Sequence, residues 1–193
     1  MSLDGVMQAP GGPDEDTTGG FAYGGWSANY QDEVTGAIMS GFMELPFELL
    51  LGRRTYDIFA AYWPTAKPEN IVGKKFNSTK KYVVSHDEIK LSWENAILVS
   101  GDVVAKIKAL KAMDGPDLWV HGSGNLIQTL LKEHLIDAMH IWTLPVTIGT
   151  GKRLFAEGTQ ADGFKLIDTK ISSKGVIIAT YQPDGPLKTG SMV

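Results

Sequence analysis

The sequence predicts an α/β protein with a mostly parallel central sheet, helices on both faces and an antiparallel hairpin near the C-terminus. Strand-like apolar runs alternate with amphipathic helical patterns up to about residue 135, which is typical of parallel βα units. Beyond residue 137 the pattern is strand after strand, separated by a turn signal. The alternation predicts the parallel sheet, and the final strands predict antiparallel pairing.

The first elements follow from apolar spacing and proline positions. Apolar residues at helical spacing predict a helix over 32–42, and Pro46 ends that segment. The run at 47–51 predicts a buried strand. A helix over 55–63 is expected to stop at Pro64.

The middle of the chain continues the alternation. A short helix is expected around residues 74–76, before a strand at 81–85. A second short strand is expected at 96–100. The helix that follows, at 102–113, has Asp102 in position to cap its N-terminus.

The last third completes the fold. Residues 117–135 form a strand pattern that runs into glycines and then into a helical pattern. Strand patterns cover 137–145 and 164–181, with the "SSKG" turn at 172–175. Because no repeat or linker interrupts the chain, a single domain over 1–193 is expected.

A glycine-rich loop precedes these elements. Residues 10–25, "PGGPDEDTTGGFAYGG", contain too much Gly, Pro and Asp for a helix or strand. A loop of this length in a compact domain is either disordered or functional, and functional loops of this kind often cover a site as a lid.

Composition excludes several functional classes. The 193 residues are 43% hydrophobic and 21% charged, with no long apolar run and no leader pattern, so a cytoplasmic protein is expected. The absence of cysteine excludes disulfides, thiolate nucleophiles and cysteine-ligated metals. A net charge of −4 favours neither nucleic acid nor an anionic membrane as partner. His134 and His140 lack metal-ligand spacing, and no metal site is predicted.

Polar groups suited to phosphate follow three predicted strands. They are Gly52-Arg53-Arg54-Thr55, Ser85-His86 and His121-Gly122-Ser123-Gly124-Asn125. Ligands of open α/β sheets bind beyond the carboxyl ends of the strands, where helix N-termini and guanidinium groups attract phosphate. The arginine pair would suit the 2′-phosphate that distinguishes NADP from NAD. The ordinary alternative is that the arginines point to water and the glycines only permit turns.

Five segments together resemble a known family. They are "SLDGVMQAP" at 2–10, "LLLGRRTYDIFAAYWP" at 49–64, "KYVVS" at 81–85, "LWVHGSGNL" at 118–126 and "LPVTIGTGKRLF" at 144–155. In this order they resemble the dihydrofolate-reductase-like reductase domain of bacterial riboflavin biosynthesis and its stand-alone relatives. The resemblance implies a dihydrofolate-reductase-like fold, NADPH as cofactor, hydride transfer to a small-molecule substrate, and a homodimer.

The resemblance also implies roles for individual residues. Those expected to contact the cofactor are Gly52, Arg53, Arg54 and Thr55 at the phosphates, Ser85 and His86 at the adenosine end, and Gly122, Ser123, Gly124 and Asn125 at the pyrophosphate. Those expected on the substrate side are Gly5, Trp26, Gly149, Gly151, Lys152 and Phe155, beneath the 10–25 loop. Asp4 and His121 are the predicted catalytic residues, although Asp4 could also be a turn aspartate and His121 a structural histidine.

The chain departs from the family pattern at two places. Relatives have a hydrophobic first strand before the "SLDG" segment, whereas this sequence has only Met1 there, so we expect a start upstream or another segment in that position. His121 occupies a position where the riboflavin-pathway reductase commonly has a carboxylate, and an imidazole offers different acceptors to a ribosyl-phosphate substrate.

The expected function is reduction of a small heterocyclic or carbonyl-bearing substrate by NADPH. The nearest activity by resemblance is that of 5-amino-6-(5-phosphoribosylamino)uracil reductase. The alternatives are a stand-alone reductase of another metabolite such as a pterin, a dinucleotide-binding protein without catalysis, and a purely structural oligomer.

Overall fold

The computed structural model describes residues 1–192. Its α-helices and β-strands are, in chain order, α1 (Glu33–Glu44), β1 (Phe47–Gly52), α2 (Arg53–Tyr62), α3 (Ile71–Ser78), β2 (Lys81–Val84), β3 (Ala96–Val99), α4 (Val103–Lys111), β4 (Asp117–Trp119), α5 (Gly124–Lys132), β5 (Met139–Thr143), β6 (Asp162–Ile171) and β7 (Ile177–Pro186). Short 3₁₀-helices lie at Thr18–Gly20, Ala28–Tyr30 and Trp63–Thr65. The chain forms two compact units. We call residues 37–127 the sheet unit, and residues 1–36 with those from 128 onward the terminal unit.

The sheet unit contains a parallel four-stranded sheet with the order β3-β2-β1-β4. The central strand β1 pairs with both β2 and β4, so that Leu49 lies opposite Lys81 on one side and Trp119 on the other. Because all four strands are parallel, their carboxyl ends lie along one edge. This arrangement confirms the predicted α/β class with a mostly parallel sheet.

The core of the sheet unit explains why 47–51 is a continuous apolar run. Leu49, Leu50 and Leu51 are at most 2% exposed, as expected for a parallel strand covered on both faces. Phe47 stacks on Trp119 with ring centroids 4.6 Å apart. Tyr56 is also buried, and its hydroxyl accepts hydrogen bonds from the backbone N–H groups of residues 92 and 93.

Helix boundaries differ from the prediction at α2. The sequence predicts a start at residue 55, whereas the helix begins at Arg53, directly after β1. Gly52 is extended (φ −70°, ψ 154°) and takes the N-cap position, so no loop residue separates strand and helix. The predicted cap of α4 is confirmed, since the Asp102 carboxylate accepts from the N–H of Ala105 at 3.0 Å.

A lysine is buried at the start of β2. Lys81 has no exposed surface, and its ammonium donates to the carbonyls of Asn77, Thr79 and Glu94 at 3.1, 2.6 and 3.0 Å. The ammonium also lies 4.3 Å from the centre of the Trp93 ring. Burial lowers the pKa of Lys81 to about 8, so the charge is kept in the folded state at some cost.

The terminal unit contains an antiparallel three-stranded sheet with the order β5-β7-β6. Its β6–β7 hairpin turns at residues 172–175, where Gly175 has φ +77° and donates to the carbonyl of Ser172. The predicted C-terminal hairpin is therefore confirmed, although its strands extend further, over Asp162–Ile171 and Ile177–Pro186. Alongside β5, Leu144 donates to the carbonyl of Met1.

Within residues 1–192, no helix is long and apolar enough to cross a membrane.

Candidate functional site

The junctions that follow β1 and β4 lie in contact. The N–H of Gly52 donates to the hydroxyl oxygen of Ser123 at 2.8 Å, and that hydroxyl donates to the Thr55 hydroxyl at 2.7 Å. A Cβ on Gly52 would lie 3.1 Å from both side-chain atoms of Ser123, so the approach depends on glycine. Two of the three predicted phosphate junctions are thus adjacent.

The β4 junction has a left-handed backbone before α5 begins. Gly122 has φ +75° and Ser123 has φ +68°, a region that costs a non-glycine residue about 1–2 kcal/mol. The hydrogen bonds of the Ser123 side chain to both neighbours offset that cost. Gly124 and the exposed Asn125 then form the first turn of α5. In general, the first N–H groups of a helix have no acceptor within the helix itself. This is the geometry that attracts a phosphate.

The two arginines occupy the first turn of α2 and are exposed. The Nε of Arg53 donates to both carboxylate oxygens of Asp57, at 2.9 and 2.7 Å. A guanidinium carries five donor hydrogens, and this contact uses the one on Nε. The arrangement orients Arg53 and partly offsets its charge.

The third junction lies after β2, which neighbours β1. Ser85 is buried, and its hydroxyl donates to the carbonyl of Asp87 while accepting from the N–H of the same residue. The hydroxyl therefore stabilises its own turn. His86 is exposed beside it. Ser85 and His86 lie at the predicted edge of the sheet.

His121 lies among aromatic rings of the sheet unit. Its ring centre is 5.0 Å from that of Phe76, 5.9 Å from Trp119 and 6.3 Å from Phe47. Nε2 is buried and has no hydrogen-bond partner among residues 1–192. Burial lowers the pKa of His121 to about 4, so the imidazole is neutral near pH 7. A neutral imidazole of this kind is a poor proton donor, and a catalytic role for His121 stays a prediction.

Asp4 joins the N-terminal turn to the segment around residue 148. Its carboxylate accepts from the hydroxyl of Ser2 at 2.6 Å and from the N–H groups of Gly149 and Ile148 at 2.8 and 3.1 Å. These bonds, the Ser2 bond first, lower the pKa of Asp4 to about 2. The carboxylate is therefore ionised at neutral pH and acts as an acceptor. Asp4 lies in a turn closed by a bond from Gly5 to the Ser2 carbonyl, and its catalytic role stays a prediction.

Two of the predicted substrate-side residues, Trp26 and Gly151, lie against a small apolar cluster of Val6, Ala9 and Phe21. Trp26 packs against it and donates from its indole nitrogen to the carbonyl of Gln8 at 2.8 Å. Gly151 has φ +110°, and a Cβ there would lie 2.7 Å from the Phe21 ring. In this position only glycine fits.

The other predicted substrate-side residues lie nearer the surface. Gly5 and Gly149 both have φ +83°, and a Cβ on Gly149 would meet nothing within 4 Å. Phe155 is 40% exposed.

The 10–25 loop is held to the segment around residue 152 by the predicted substrate-side residue Lys152 and by three residues without a local signal in the sequence, Gln8, Asp16 and Thr18. Gln8 is 4% exposed, and its amide donates to the carbonyls of Asp16 and Thr18, both at 2.9 Å. Its amide oxygen accepts from the N–H of Lys152 at 3.0 Å. The Lys152 ammonium also pairs with the Asp16 carboxylate and donates to the Thr18 hydroxyl at 2.8 Å. The loop is thus ordered by these contacts.

A cleft of about 300 Å³ lies in the terminal unit between this loop and residues 150–152. Phe21 and Gly151 contribute its apolar wall, and Gln8, Thr18, Thr150 and Lys152 contribute polar groups. Its volume is at the lower end of the range for small-molecule sites. The structure therefore brings the 10–25 loop, Gly151 and Lys152 together around one cavity. Residues 1–192 contain no cluster of three His, Cys, Asp or Glu side chains placed to hold a metal.

The donor groups of the sheet unit fit the phosphates of a dinucleotide. The close approach at Gly52 leaves the first turns of α2 and α5 side by side, with two guanidinium groups on the first. Backbone N–H groups and arginines are the groups that bind pyrophosphate and 2′-phosphate in proteins.

Comparisons with known proteins identify the family of the chain. Residues 1–178 match the family model of the RibD C-terminal domain. The Bacillus subtilis protein YyaP, described as uncharacterised, is 30% identical over 140 residues, which cover 71% of this chain and 74% of YyaP.

Solved structures give the same fold. A candidate riboflavin biosynthesis protein from Shewanella sp. PV-4 has 27% identity and a TM-score of 0.66, with 95% of each chain covered. Dihydrofolate reductase from Enterococcus faecalis, solved with NADP(H) and RAB-propyl, has 13% identity and a TM-score of 0.59, with 95% of this chain and 92% of that chain covered. The second likeness confirms the predicted dihydrofolate-reductase-like fold, and the family match confirms the predicted family: the chain belongs to the RibD C-terminal domain family.

Proposed function

We propose that the protein is an NADPH-dependent reductase. The main support is the contact of Gly52, Ser123 and Thr55. This contact brings together the N-termini of α2 and α5, and α2 begins with the arginine pair. Membership of the RibD C-terminal family and the likeness to a reductase solved with NADP(H) support it.

Each unit has its own part in the proposal. In the sheet unit, Arg53, Arg54 and Thr55 would meet the 2′-phosphate and adjoining phosphates, and the backbone of residues 122–125 would hold the pyrophosphate. In the terminal unit, Asp4 holds the backbone of Ile148 and Gly149 in place, and the cleft beside Lys152 would take the substrate. When bound, NADPH supplies a hydride to the electrophilic carbon of a C=N or C=O group. Reduction of that bond also adds one proton to the nitrogen or oxygen, which balances the reaction.

By resemblance, the first candidate substrate is the 5-phosphoribosylamino-pyrimidine of riboflavin biosynthesis, which carries a phosphate. A second candidate, another small metabolite such as a pterin, is favoured by the pairing of Lys152 with Asp16, since that lysine is already engaged. We also propose a homodimer in the cytoplasm.

Titration with NADPH and NADH, followed by fluorescence or calorimetry, tests the cofactor. Tight NADPH binding with weak NADH binding is expected. Turnover is then measured with pyrimidine, pterin and quinone panels. Binding without oxidation of NADPH across all panels would favour a dinucleotide-binding protein without catalysis, and no binding of either cofactor would refute the proposal.

A further inference from the structure

The cleft in the terminal unit has one ionisable side chain among the lining residues that the structure describes. That side chain is Lys152, and the other lining groups are amides, hydroxyls, backbone and the Phe21 ring. The charge available to a ligand in the cleft therefore depends on what Lys152 contacts.

The carboxylate of Asp16 forms an ion pair with the ammonium of Lys152. The Asp16 side chain is 11% exposed, whereas that of Lys152 is 46% exposed, so the carboxylate lies on the inner side of the pair. The same carboxylate accepts from the N–H and the hydroxyl of Thr18, at 3.2 and 2.5 Å. It is thus fixed by its own loop.

The backbone around this pair is fixed as well. Gln8, buried beneath the loop, binds the carbonyls of Asp16 and Thr18 with its amide group and the N–H of Lys152 with its amide oxygen. An anion that binds the ammonium of Lys152 would compete with a carboxylate that is held by the N–H and hydroxyl of Thr18 as well as by Lys152 itself. Such an anion would also approach the charge of Asp16 itself, which is repulsive.

We propose that the cleft selects an uncharged, hydrogen-bonding part of the substrate and that Asp16 rejects a phosphate there. This inference rests on the proposed function, because it concerns the substrate of that reductase. Asp16 is then a specificity-determining residue. Replacing Asp16 with a neutral residue would leave the ammonium of Lys152 available to an anionic ligand. The hydrogen bonds of Gln8 to the backbone would stay in place, because they do not involve the Asp16 side chain.

The test compares two ligands that differ by one phosphate: 5-amino-6-ribosylaminouracil and its 5′-phosphate. Their affinities are measured by calorimetry with the wild type, with Asp16→Asn and with Asp14→Asn. Asp14 is an exposed carboxylate of the same loop, so its variant removes an equal charge at a matched position. NADPH affinity and circular dichroism of each variant are recorded in the same preparations.

The wild type is expected to bind the unphosphorylated compound more tightly. Asp16→Asn should shift the affinity ratio toward the phosphorylated compound by about tenfold, since a favourable charge contact of about 1.4 kcal/mol corresponds to that factor. Asp14→Asn should leave the ratio within about twofold. Adding Lys152→Gln to Asp16→Asn should abolish the gain.

The inference is overturned if the wild type prefers the phosphorylated compound, if both carboxylate variants shift the ratio equally, or if the wild type binds neither compound. If the same wild-type sample binds NADPH, these outcomes contradict the inference about the cleft and leave the proposed cofactor in place. If NADPH does not bind, the reductase proposal fails whatever the ligand ratio.

Discussion

Ser123 donates a hydrogen bond to Thr55 at 2.7 Å while it accepts one from the backbone of Gly52 at 2.8 Å. A hydroxyl has one hydrogen to donate, so Thr55, as the acceptor in this pair, keeps its own hydrogen for another acceptor. In the proposed cofactor site that acceptor is a phosphate oxygen. Ser123 is therefore a positioning residue for Thr55.

Ser123→Ala should weaken NADPH binding about 3- to 10-fold, the effect of losing one hydrogen bond of about 0.5–1.5 kcal/mol. On a Thr55→Val background the same change should have almost no further effect, because the group that Ser123 orients is gone. Calorimetric titration of the four proteins measures this. Ser123→Gly, which also relieves the left-handed backbone, should lose as much affinity as Ser123→Ala. Additive losses in the cycle would argue against the arrangement.

Arg53→Ala should weaken NADPH binding about 10- to 100-fold, since a hydrogen bond to a charged group contributes about 1.5–3 kcal/mol. NADH, which lacks the 2′-phosphate, should lose much less. The dissociation constants of both cofactors are compared with those of Lys106→Ala, which removes an exposed cation from α4. Equal losses for the two cofactors would show that Arg53 does not contact the 2′-phosphate.

Gly151→Ala should destabilise the protein more than Gly149→Ala does. Both glycines have positive φ, which costs alanine about 1–2 kcal/mol at either position. Only at residue 151 would the new Cβ lie 2.7 Å from the Phe21 ring, and overpacking adds about 1–3 kcal/mol. Urea denaturation of both variants gives the difference. Equal losses would mean that Phe21 moves aside without cost.

Lys81 makes the free energy of unfolding depend on pH in the alkaline range. The pKa of Lys81 is lowered from 10.5 to about 8 because burial removes the ammonium from water. Between these pH values the unfolded chain binds more protons than the folded protein, so stability rises as pH increases. Below pH 8 the cost of the buried charge is fully present.

Lys81→Met removes this titration and serves as the reference. The free energy of unfolding of the wild type, minus that of Lys81→Met, should increase by about 2–3 kcal/mol from pH 8 to pH 10.5. Urea denaturation at several pH values in this range measures it. The carbonyls that lose their donor in Lys81→Met add a constant offset that does not depend on pH. A difference that is flat across the range would contradict the lowered pKa.

Much of the secondary structure of the sheet unit can be predicted from the sequence, because each element there follows from a local residue pattern. The apolar run ending at Gly52 predicts β1, and the glycines after Trp119 predict the strand-to-helix junction there. Parallel strands place their carboxyl ends at one edge, so adjacent junctions follow from topology alone. The start of α2 was predicted two residues late because an extended glycine can cap a helix without any side-chain signal.

The contacts of the terminal unit could not be predicted in the same way. Lys152 and Asp16 are 136 positions apart, and nothing in the local pattern of either residue indicates the other. The surroundings of the His121 ring are aromatic rings from three different elements, whereas its sequence neighbourhood indicates only the end of a strand. Side-chain networks between distant segments depend on tertiary packing, so they cannot be predicted from local residue propensities.

The division of the chain into a contiguous sheet unit and a terminal unit built from both ends sets an order of folding during synthesis. Residues 37–127 have their contact partners within one continuous stretch of chain, so these contacts can begin to form before the C-terminal strands are made. The first 36 residues find the rest of their unit only when the strands up to Pro186 have been made, roughly 3–12 s after residue 127 at ordinary translation rates. During that interval the glycine-rich loop and the apolar residues Val6 and Phe21 are exposed on the nascent chain, which makes this the period in which chaperones would be needed most.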